Sequence, residues 1–366
     1  MNPKKLGLAA ALAVSVSTTA IANDSIKFYN WSDYIAPDTL TNFEKATGLS
    51  VTYDVFDSNE VLEAKLMAGG SGFDLVVPGS QFLGRQIMAD VFLELDREKL
   101  PHYKNLDAEL MKVLAEVDPD NRYGIPYLWG TTGIGYNVDQ VKKALGEDAP
   151  VNSWDLVFKP ENLEKLASCG VALLDAPAEI LPIALNYLGK NPNSTEKGDY
   201  SRDSDLGKLL SSIRPSITYF HSSKYINDLA NGDICVAVGW SGDILQGATR
   251  AEEAGNGVKV AYSIPKEGTA VWFDMLAIPS DAKHPELAHK LLDYLLEADV
   301  IAGVSNYVAY ANGNKASTQL IDAEITSDPT IYPSDDVKAK LFSLKVMPKK
   351  IDRFSTRLWT DFKANR

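Results

Sequence analysis

Aromatic and acidic residues occur together at three widely separated points of the sequence. The three segments are Trp31-Ser32-Asp33-Tyr34, Trp240-Ser241-Gly242-Asp243 and Trp272-Phe273-Asp274, with Glu179 and Tyr310 as isolated companions. A linear amine cation needs this combination, because its methylene groups pack against flat apolar surfaces and each ammonium group needs a carboxylate or an aromatic face. These residue types therefore predict a binding site for a small organic polycation.

Each member of these segments also has a purely structural explanation. Asp33 could close an Asx turn, and Asp243 could cap the start of its helix. Trp31, Trp272 and Tyr310 could be core aromatic residues. The binding interpretation depends on the three segments lying at strand-to-loop junctions that face one crevice.

The first part of the chain alternates between strand and helix patterns. The predicted strands are residues 25–30, 50–56 and 73–77, and the predicted helices are residues 37–47, 58–68 and 81–90. This succession implies a mostly parallel sheet that is covered on both faces. Because ligands bind beyond the carboxyl ends of such strands, we expect residues 31–34 and the loop at Gly79-Ser80 to face one crevice.

A glycine-rich, extended segment at residues 126–137 predicts a strand that crosses into a second lobe. Without residues 1–22 the chain has about 340 residues, which is longer than one hydrophobic core usually supports and also favours two lobes. The predicted fold is α/β and two-lobed, with a mostly parallel sheet flanked by helices in each lobe and hinge strands between them. The predicted limits are residues 23–130 and 255–310 for lobe one, and residues 131–254 and 311–366 for lobe two, with strands 258–263 and 272–278 back on lobe one.

The N-terminus has the layout of a secretory signal peptide. Lys4 and Lys5 precede a short apolar stretch at residues 6–16, and residues 20–22 form a small-x-small cleavage site that ends at Ala22. The rest of the chain has no long uninterrupted apolar run, which predicts a soluble mature protein.

The composition is acidic, with a net charge of −13 that becomes about −15 without residues 1–22. An acidic surface disfavours nucleic acid and anionic lipid as partners and attracts cations. Acidity alone is weak support, because many exported proteins use it for solubility.

Cys169 and Cys235 are the two cysteines of this exported chain. Oxidising conditions favour a disulfide between them, and a pair of buried thiols is the alternative that the residues leave open. No neighbouring ligand cluster favours a metal role for either cysteine.

Several catalytic motifs are absent from the sequence. It contains no HExxH spacing, no GxSxG nucleophile elbow and no P-loop, and Gly133-Ile134-Gly135 lacks the rest of a dinucleotide fingerprint. These absences argue against metal hydrolysis, acyl transfer and nucleotide-dependent chemistry, and no cofactor is expected. A carboxylate-pair hydrolase leaves no motif and stays open as the alternative.

Long segments of the chain resemble the putrescine/spermidine-binding proteins of bacterial ABC importers. The segments are residues 30–37, 175–177, 220–223, 225–243 and 349–359, and the similarity extends over essentially the whole mature chain. The resemblance implies a type II periplasmic binding-protein fold, a periplasmic location and no catalysis. It also implies a monomer that closes on a polyamine and delivers it to a membrane permease.

Carried over by position, the resemblance implies a role for each site residue. Trp31, Tyr34, Trp240, Trp272 and Tyr310 would form an aromatic box, Asp243 and Asp274 would clamp one amine, Ser32, Asp33 and Glu179 would serve the distal amine, and Cys169 and Cys235 would be disulfide-bonded. A loop serine of the family is replaced here by Gly79, so that its hydroxyl contact could be lost or could be taken over by Ser80.

The residues give conflicting indications of ligand length. Ala176 and Asp33 leave a small distal end that suits a diamine, whereas Trp272 suits a triamine. The choice between putrescine and spermidine therefore stays open. A receptor for another cationic solute is a further alternative, but an α-carboxylate would need an arginine, and none occurs in the site segments.

Overall fold

The computed structural model describes residues 25–365, in which strands and helices alternate along the chain. The strands are β1 Ser25–Trp31, β2 Ser50–Phe56, β3 Leu75–Val76, β4 Gly124–Asn137, β5 Val171–Leu173, β6 Tyr219–Phe220, β7 Val236–Trp240, β8 Val260–Ser263, β9 Ala270–Ala277, β10 Ala311–Asn312 and β11 Phe342–Ser343. The α-helices are α1 Thr39–Thr47, α2 Asn59–Met67, α3 Ser80–Ile87, α4 Ala108–Leu114, α5 Val138–Leu145, α6 Asp155–Phe158, α7 Pro160–Leu166, α8 Pro177–Tyr187, α9 Asp205–Ile213, α10 Tyr225–Asn231, α11 Ser241–Ala254, α12 Pro285–Leu295, α13 Ala298–Val308, α14 Ala323–Thr326, α15 Asp335–Lys338 and α16 Lys349–Lys363.

Lobe one is built on β1, which lies between β2 and β3 with all three strands parallel. In the β1–β2 register, Trp31 lies opposite Phe56. The carboxyl ends of these strands therefore meet at one edge of the sheet, as the strand and helix pattern predicts. The third predicted strand is shorter than expected, since only Leu75–Val76 pairs with its neighbours.

Local sequence explains where the first helices begin and end. The Ser58 hydroxyl accepts a hydrogen bond of 3.2 Å from the backbone N–H of Val61 and so caps α2. Helix α1 ends at Gly48, whose φ of 72° is the left-handed conformation that glycine adopts without strain. Both limits were predicted from these residues.

Lobe two is built on β5, which lies between β6 and β7, again with parallel strands. Val171 of β5 lies opposite Val236 of β7, and both side chains are fully buried. Cys169 and Cys235 precede these paired strands and form a disulfide, with their Cα atoms 5.4 Å apart. The predicted disulfide is therefore confirmed.

The long strand β4 joins the two lobes. Its first part, from Gly124 to Thr131, pairs antiparallel with β9 of lobe one, and its second part, from Thr132 to Tyr136, pairs antiparallel with β7 of lobe two. Glycine is required within it because a Cβ atom at Gly130 would lie 2.7 Å from the hydroxyl oxygen of Ser241. The predicted crossing strand is thus present.

Two later parts of the chain differ from the expected lobe assignment. The strand predicted at residues 258–263 for lobe one is β8, and it pairs with residues 134–137 beside the lobe-two strand β7. Conversely, β10 pairs with Leu128 and Trp129, and β11 pairs with β9, which brings both to the lobe-one sheet. The chain therefore crosses between the lobes more often than expected, and the full lobe boundaries remain a prediction.

The cores of both lobes lie between the sheets and the flanking helices. Phe28 and Leu75 are fully buried in lobe one, and Leu173 and Ile180 are buried in lobe two. Across residues 25–365, no helix combines the length and the apolar character needed to span a membrane.

Candidate functional site

A cavity of about 500 Å³ opens between the carboxyl ends of the strands of both lobes. Nine of the ten ligand-binding residues predicted from the sequence line it, namely Trp31, Ser32, Tyr34, Glu179, Trp240, Asp243, Trp272, Asp274 and Tyr310. The loop after β3 reaches the same cavity through Gly79. The expectation that residues 31–34 and 79–80 face one crevice is therefore met by Trp31, Ser32, Tyr34 and Gly79.

The aromatic rings line the cavity in two groups, and one of these groups joins the two lobes. Trp31 of lobe one and Trp240 of lobe two meet edge to face, with ring centroids 5.3 Å apart. Tyr310 lies 5.1 Å from Tyr34 and 5.3 Å from Trp272 in the same geometry. Trp31 is fixed by a hydrogen bond of 2.9 Å from its indole N–H to the carbonyl of Val77. Flat apolar faces are thus held in place before any ligand arrives.

Asp274 lies on β9 and is almost fully buried in the cavity wall. The hydroxyl of Tyr34 donates a hydrogen bond of 2.7 Å to its carboxyl group. Burial raises the pKa of Asp274 well above the usual range, and the nearby acids Glu179 and Asp243 raise it further. The group is therefore costly to ionise until a cation neutralises it.

Asp243 lies in the first turn of α11 and faces Asp274 across the tyrosine cluster. The hydroxyls of Tyr225 and Tyr310 donate hydrogen bonds of 2.8 Å and 2.9 Å to its two carboxyl oxygens. Burial raises the pKa of Asp243 to about 7, although both hydroxyls act in the opposite direction. A Cβ atom at Gly242 would overlap the Tyr310 ring, which explains the glycine at this position.

The capping explanation for Asp243 is not supported by the structure. Helix α11 is preceded by Trp240 as its N-cap, and no side chain caps it. The carboxyl group of Asp243 instead accepts hydrogen bonds from two tyrosines.

Glu179 projects from α8 of lobe two and is also buried. Its carboxyl group accepts a hydrogen bond of 2.6 Å from the Thr132 hydroxyl and one of 3.0 Å from the Trp240 indole N–H. Burial raises the pKa of Glu179, and these two hydrogen bonds lower it. Thr132 belongs to the crossing strand β4, so this acid is held by both lobe two and the hinge.

Asp33 is the one predicted site residue that does not line the cavity. It adopts a left-handed backbone conformation with φ of 54°, and its carboxylate forms an ion pair of 2.7 Å with Arg250 of α11. Its backbone carbonyl accepts a hydrogen bond from Gln246 of the same helix. The structure therefore places Asp33 in a contact between the two lobes, where Arg250 draws its side chain away from the cavity.

The hydroxyl groups near the cavity differ in their roles. Ser32 lines the cavity, and its hydroxyl donates a hydrogen bond of 3.3 Å to the carbonyl of Phe56. Ser80 begins α3 and is not part of the lining. Ser80 thus does not replace the hydroxyl that is missing at Gly79, whose N–H donates to Asn59.

The sequence interpretation missed several lining residues. They are Phe56, Asp57, Asn59, Gln81, Ser222 and Ser223. Phe56 ends β2 and Asp57 follows it, which repeats the pairing of an aromatic residue with an acid at a strand end. That repeat could have identified them. Ser222 and Ser223 lie within a segment that carries the family resemblance, residues 220–223.

The electrostatic character of the cavity is one-sided. Four acids line it, and no arginine, lysine or histidine is among its lining residues within the described part of the chain. The indole N–H of Trp272 is buried and has no hydrogen-bond partner among the described residues. Nor do residues 25–365 contain a group of histidine, cysteine or acidic side chains arranged to hold a metal ion. The arrangement suits an organic cation and offers no basic side chain to an anionic group.

Comparison with known proteins agrees with this geometry. The family model described as bacterial extracellular solute-binding protein matches residues 38–333. The putrescine-binding periplasmic protein PotF of Escherichia coli is 60% identical over 98% of this chain and 96% of its own length. The putrescine-binding periplasmic protein SpuD of Pseudomonas aeruginosa is 54% identical over 98% of both chains.

Solved structures show the same fold. A putative spermidine/putrescine ABC transporter protein from Listeria monocytogenes superposes with a TM-score of 0.82 at 32% identity. The alignment covers 93% of this chain and 99% of that one. The two-lobed type II periplasmic binding-protein fold predicted from the sequence is thereby confirmed.

Proposed function

The chain belongs to the family of bacterial extracellular solute-binding proteins, and we propose that it binds a polyamine between its two lobes and delivers it to an ABC importer. The ligand is putrescine, spermidine or both. The proposal is supported by the names of the relatives, which describe binding of putrescine or of spermidine and putrescine. It is a transport function, and no enzymatic step is involved.

The observation that carries the proposal is the combination of buried acids and aromatic rings in a cavity whose lining contains no basic residue. An ion pair at a partly buried site contributes about 4 kcal/mol before desolvation costs, if the effective dielectric constant is near 20. A cation–π contact adds about 0.5–2 kcal/mol. Together these contributions can offset the loss of hydration of an ammonium group.

We assign the roles within the cavity from the hydrogen bonds that already orient each group. Asp243 and Asp274 clamp one ammonium group. The Tyr310 hydroxyl holds Asp243, the Tyr34 hydroxyl holds Asp274, and the two tyrosine rings are in contact. Trp31 and Trp240 pack against the methylene groups. Glu179 and Ser32 serve the distal amine, directly or through water.

Closure of the lobes completes the site. Asp243 and Glu179 come from lobe two and Asp274 from lobe one, so a ligand that pairs with all three favours the closed form. The strands that cross between the lobes, β4 among them, act as the hinge. The closed, monomeric receptor then docks on a membrane permease.

We further propose export through a cleaved signal peptide with cleavage near Ala22. This segment lies outside the described residues. Export to the periplasm fits the disulfide between Cys169 and Cys235, because disulfides persist in oxidising compartments.

The alternatives have less support. A carboxylate-dependent hydrolase is not favoured, because the chain belongs to a family of solute-binding proteins. A cationic amino acid would bring an α-carboxylate into a cavity that has four acids in its lining and no base.

Calorimetric titration of ligand-free protein tests the proposal. Putrescine should bind at least about a hundredfold more tightly than 1-aminobutane or 4-aminobutyrate, which lack one of the two ammonium groups. Equal binding of 4-aminobutyrate would contradict a cavity that selects cations at both ends. So would a failure of both putrescine and spermidine to bind.

A further inference from the structure

Asp57 is a fourth acid on the cavity wall, and the roles assigned above do not use it. It directly follows β2 and lines the cavity together with Ser222 and Ser223 of lobe two. Its side chain is partly buried, so that it borders both the cavity and the solvent.

Asp57 differs from the other three acids in having no partner. Asp243, Asp274 and Glu179 each accept hydrogen bonds from fixed side chains. Among residues 25–365, no side chain or backbone group donates a hydrogen bond to the Asp57 carboxylate or forms an ion pair with it. A carboxylate at a cavity wall with all its acceptor positions unused is available to a cation of the ligand.

A series of ring contacts leads from the neighbourhood of Asp243 to Asp57 along the lining of the same cavity. Trp240, which is three residues from Asp243, contacts Trp31 at 5.3 Å. Trp31 in turn contacts Phe56 at 4.6 Å, and Asp57 follows Phe56 in the chain. A ligand that starts between Asp243 and Asp274 and runs past Trp240, Trp31 and Phe56 can therefore reach Asp57.

We propose that Asp57 binds the outermost ammonium group of a triamine such as spermidine and thereby determines the preference for ligand length. The inference depends on the proposed polyamine binding and specifies its substrate. A diamine is satisfied by Asp243, Asp274 and Glu179. A triamine extends past Trp31 and Phe56 and pairs its additional charge with Asp57.

Glu60 is the competing acid for this role. It lies in the first turn of α2 and lines two grooves beside the cavity without lining the cavity itself. Burial raises its pKa to about 7, and the charges of Glu179 and Asp175 raise it too. A Glu60→Gln variant therefore distinguishes a route through the cavity from one through the neighbouring groove.

The experiment compares three ligands by calorimetry with ligand-free protein: putrescine, spermidine and N-propylputrescine. N-propylputrescine has the carbon chain of spermidine but lacks the amino group at the end of the propyl arm, which ends in a methyl group. The wild-type protein should bind spermidine about tenfold more tightly than N-propylputrescine. In Asp57→Asn this difference should disappear, while the affinity for putrescine changes by less than about twofold.

Asp54→Asn is the matched control. Burial raises the pKa of Tyr29, and the charges of Asp54 and Asp57 both raise it further, so the two acids act on the same region. Asp54, however, is exposed and does not line the cavity. Removing its charge should leave all three affinities unchanged within about twofold.

Each possible result is informative. The role of Asp57 would be overturned if Asp57→Asn lost the same affinity for all three ligands or lost none. It would also be overturned if the wild-type protein did not bind spermidine. Each of these results would leave diamine binding by the protein intact as a proposal. A selective loss for spermidine in Glu60→Gln alone would also overturn the role of Asp57. If the wild-type protein binds none of the three amines, the proposed function itself fails.

Discussion

The two ends of the cavity hold their acids in different ways. At the inner end, Asp243 and Asp274 are almost completely buried and are held by hydrogen bonds from three tyrosines. At the outer end, Asp57 is partly exposed and has no partner among the described residues. The inner end is preorganised for one ammonium group, whereas the outer end can accept a charge or leave it to solvent.

Because of this difference, we expect the inner end to determine the affinity for polyamines in general and the outer end to determine the selectivity for ligand length. A buried acid that lacks a counter-charge is costly, so the inner end gains most when an ammonium group arrives. An exposed acid is already hydrated, so pairing it contributes less, and only ligands long enough to reach it benefit. We therefore expect changes at the inner end to affect all polyamines and changes at the outer end to affect the longer ones.

The largest effect is expected from Asp274→Asn and Asp243→Asn. Each substitution keeps the shape and a hydrogen-bond acceptor for tyrosine but removes the negative charge that clamps the ammonium group. Putrescine affinity should fall at least tenfold in either variant, as measured by calorimetry, with the circular dichroism spectrum unchanged. The exposed acid Glu109 provides the control Glu109→Gln, and an unchanged affinity in the two site variants would refute the clamp.

The next largest effect is a dependence of binding on pH. The pKa of Asp243 is raised by burial to about 7 in the ligand-free protein, and a bound ammonium group should lower it. Putrescine stays doubly charged in this range, so its affinity should be about tenfold lower at pH 6 than at pH 8. The dependence should weaken in Asp243→Asn, and a flat profile in the wild-type protein would contradict a raised pKa.

The same pKa shift affects stability. Between the ordinary pKa of an aspartate and about 7, the folded ligand-free protein binds more protons at Asp243 than the unfolded chain does. The contribution of this residue to the free energy of unfolding therefore falls as pH rises through that window. Putrescine offsets the buried charge, so the increase in melting temperature that it causes should be larger at pH 8 than at pH 6.

A smaller effect is expected from Tyr225→Phe, which removes a hydroxyl that holds Asp243 without lining the cavity. The loss of one hydrogen bond to a carboxylate should weaken putrescine binding about fivefold and raise the pKa of Asp243 further. Tyr262→Phe is the matched control, because that buried hydroxyl donates to the carbonyl of Thr131 and to no acid. Equal affinities in the two variants would show that the tyrosine does not orient Asp243.

The smallest effect concerns the contact between the lobes at Asp33 and Arg250. Their ion pair is partly exposed and should contribute at most about 1 kcal/mol to the closed form. Asp33→Asn and Arg250→Gln should both speed the release of putrescine about threefold, because each breaks the ion pair. If the two charges acted only at long range on the cationic ligand, one substitution would speed its release and the other would slow it. Stopped-flow kinetics measures this, with Arg122→Gln, which breaks a pair with Glu94 inside lobe one, as the control.

Much of the fold followed from local sequence. Strand limits at residues 25–31 and 50–56, the cap at Ser58 and the crossing strand were predictable, because each depends on neighbouring residues. The sheet to which β8, β10 and β11 belong depends on long-range pairing, which no local pattern specifies.

The candidate site was also predictable only as far as local sequence determines it. Acids and rings at strand ends identified most of the cavity wall, but the direction of an individual side chain depends on its partner in the folded protein. Asp33 is drawn to Arg250, more than two hundred residues away in sequence, and so leaves the cavity. Asp57 was overlooked although it follows an aromatic residue at the end of β2, where the same rule applies.

The most direct measurement of the central claim is a crystal structure of the protein with putrescine. One amine nitrogen should lie within hydrogen-bonding distance of both Asp243 and Asp274, with the methylene groups against Trp31 and Trp240 and the second amine near Glu179. A putrescine molecule bound outside the cavity, or one whose amines contact none of these carboxyl groups, would contradict the account.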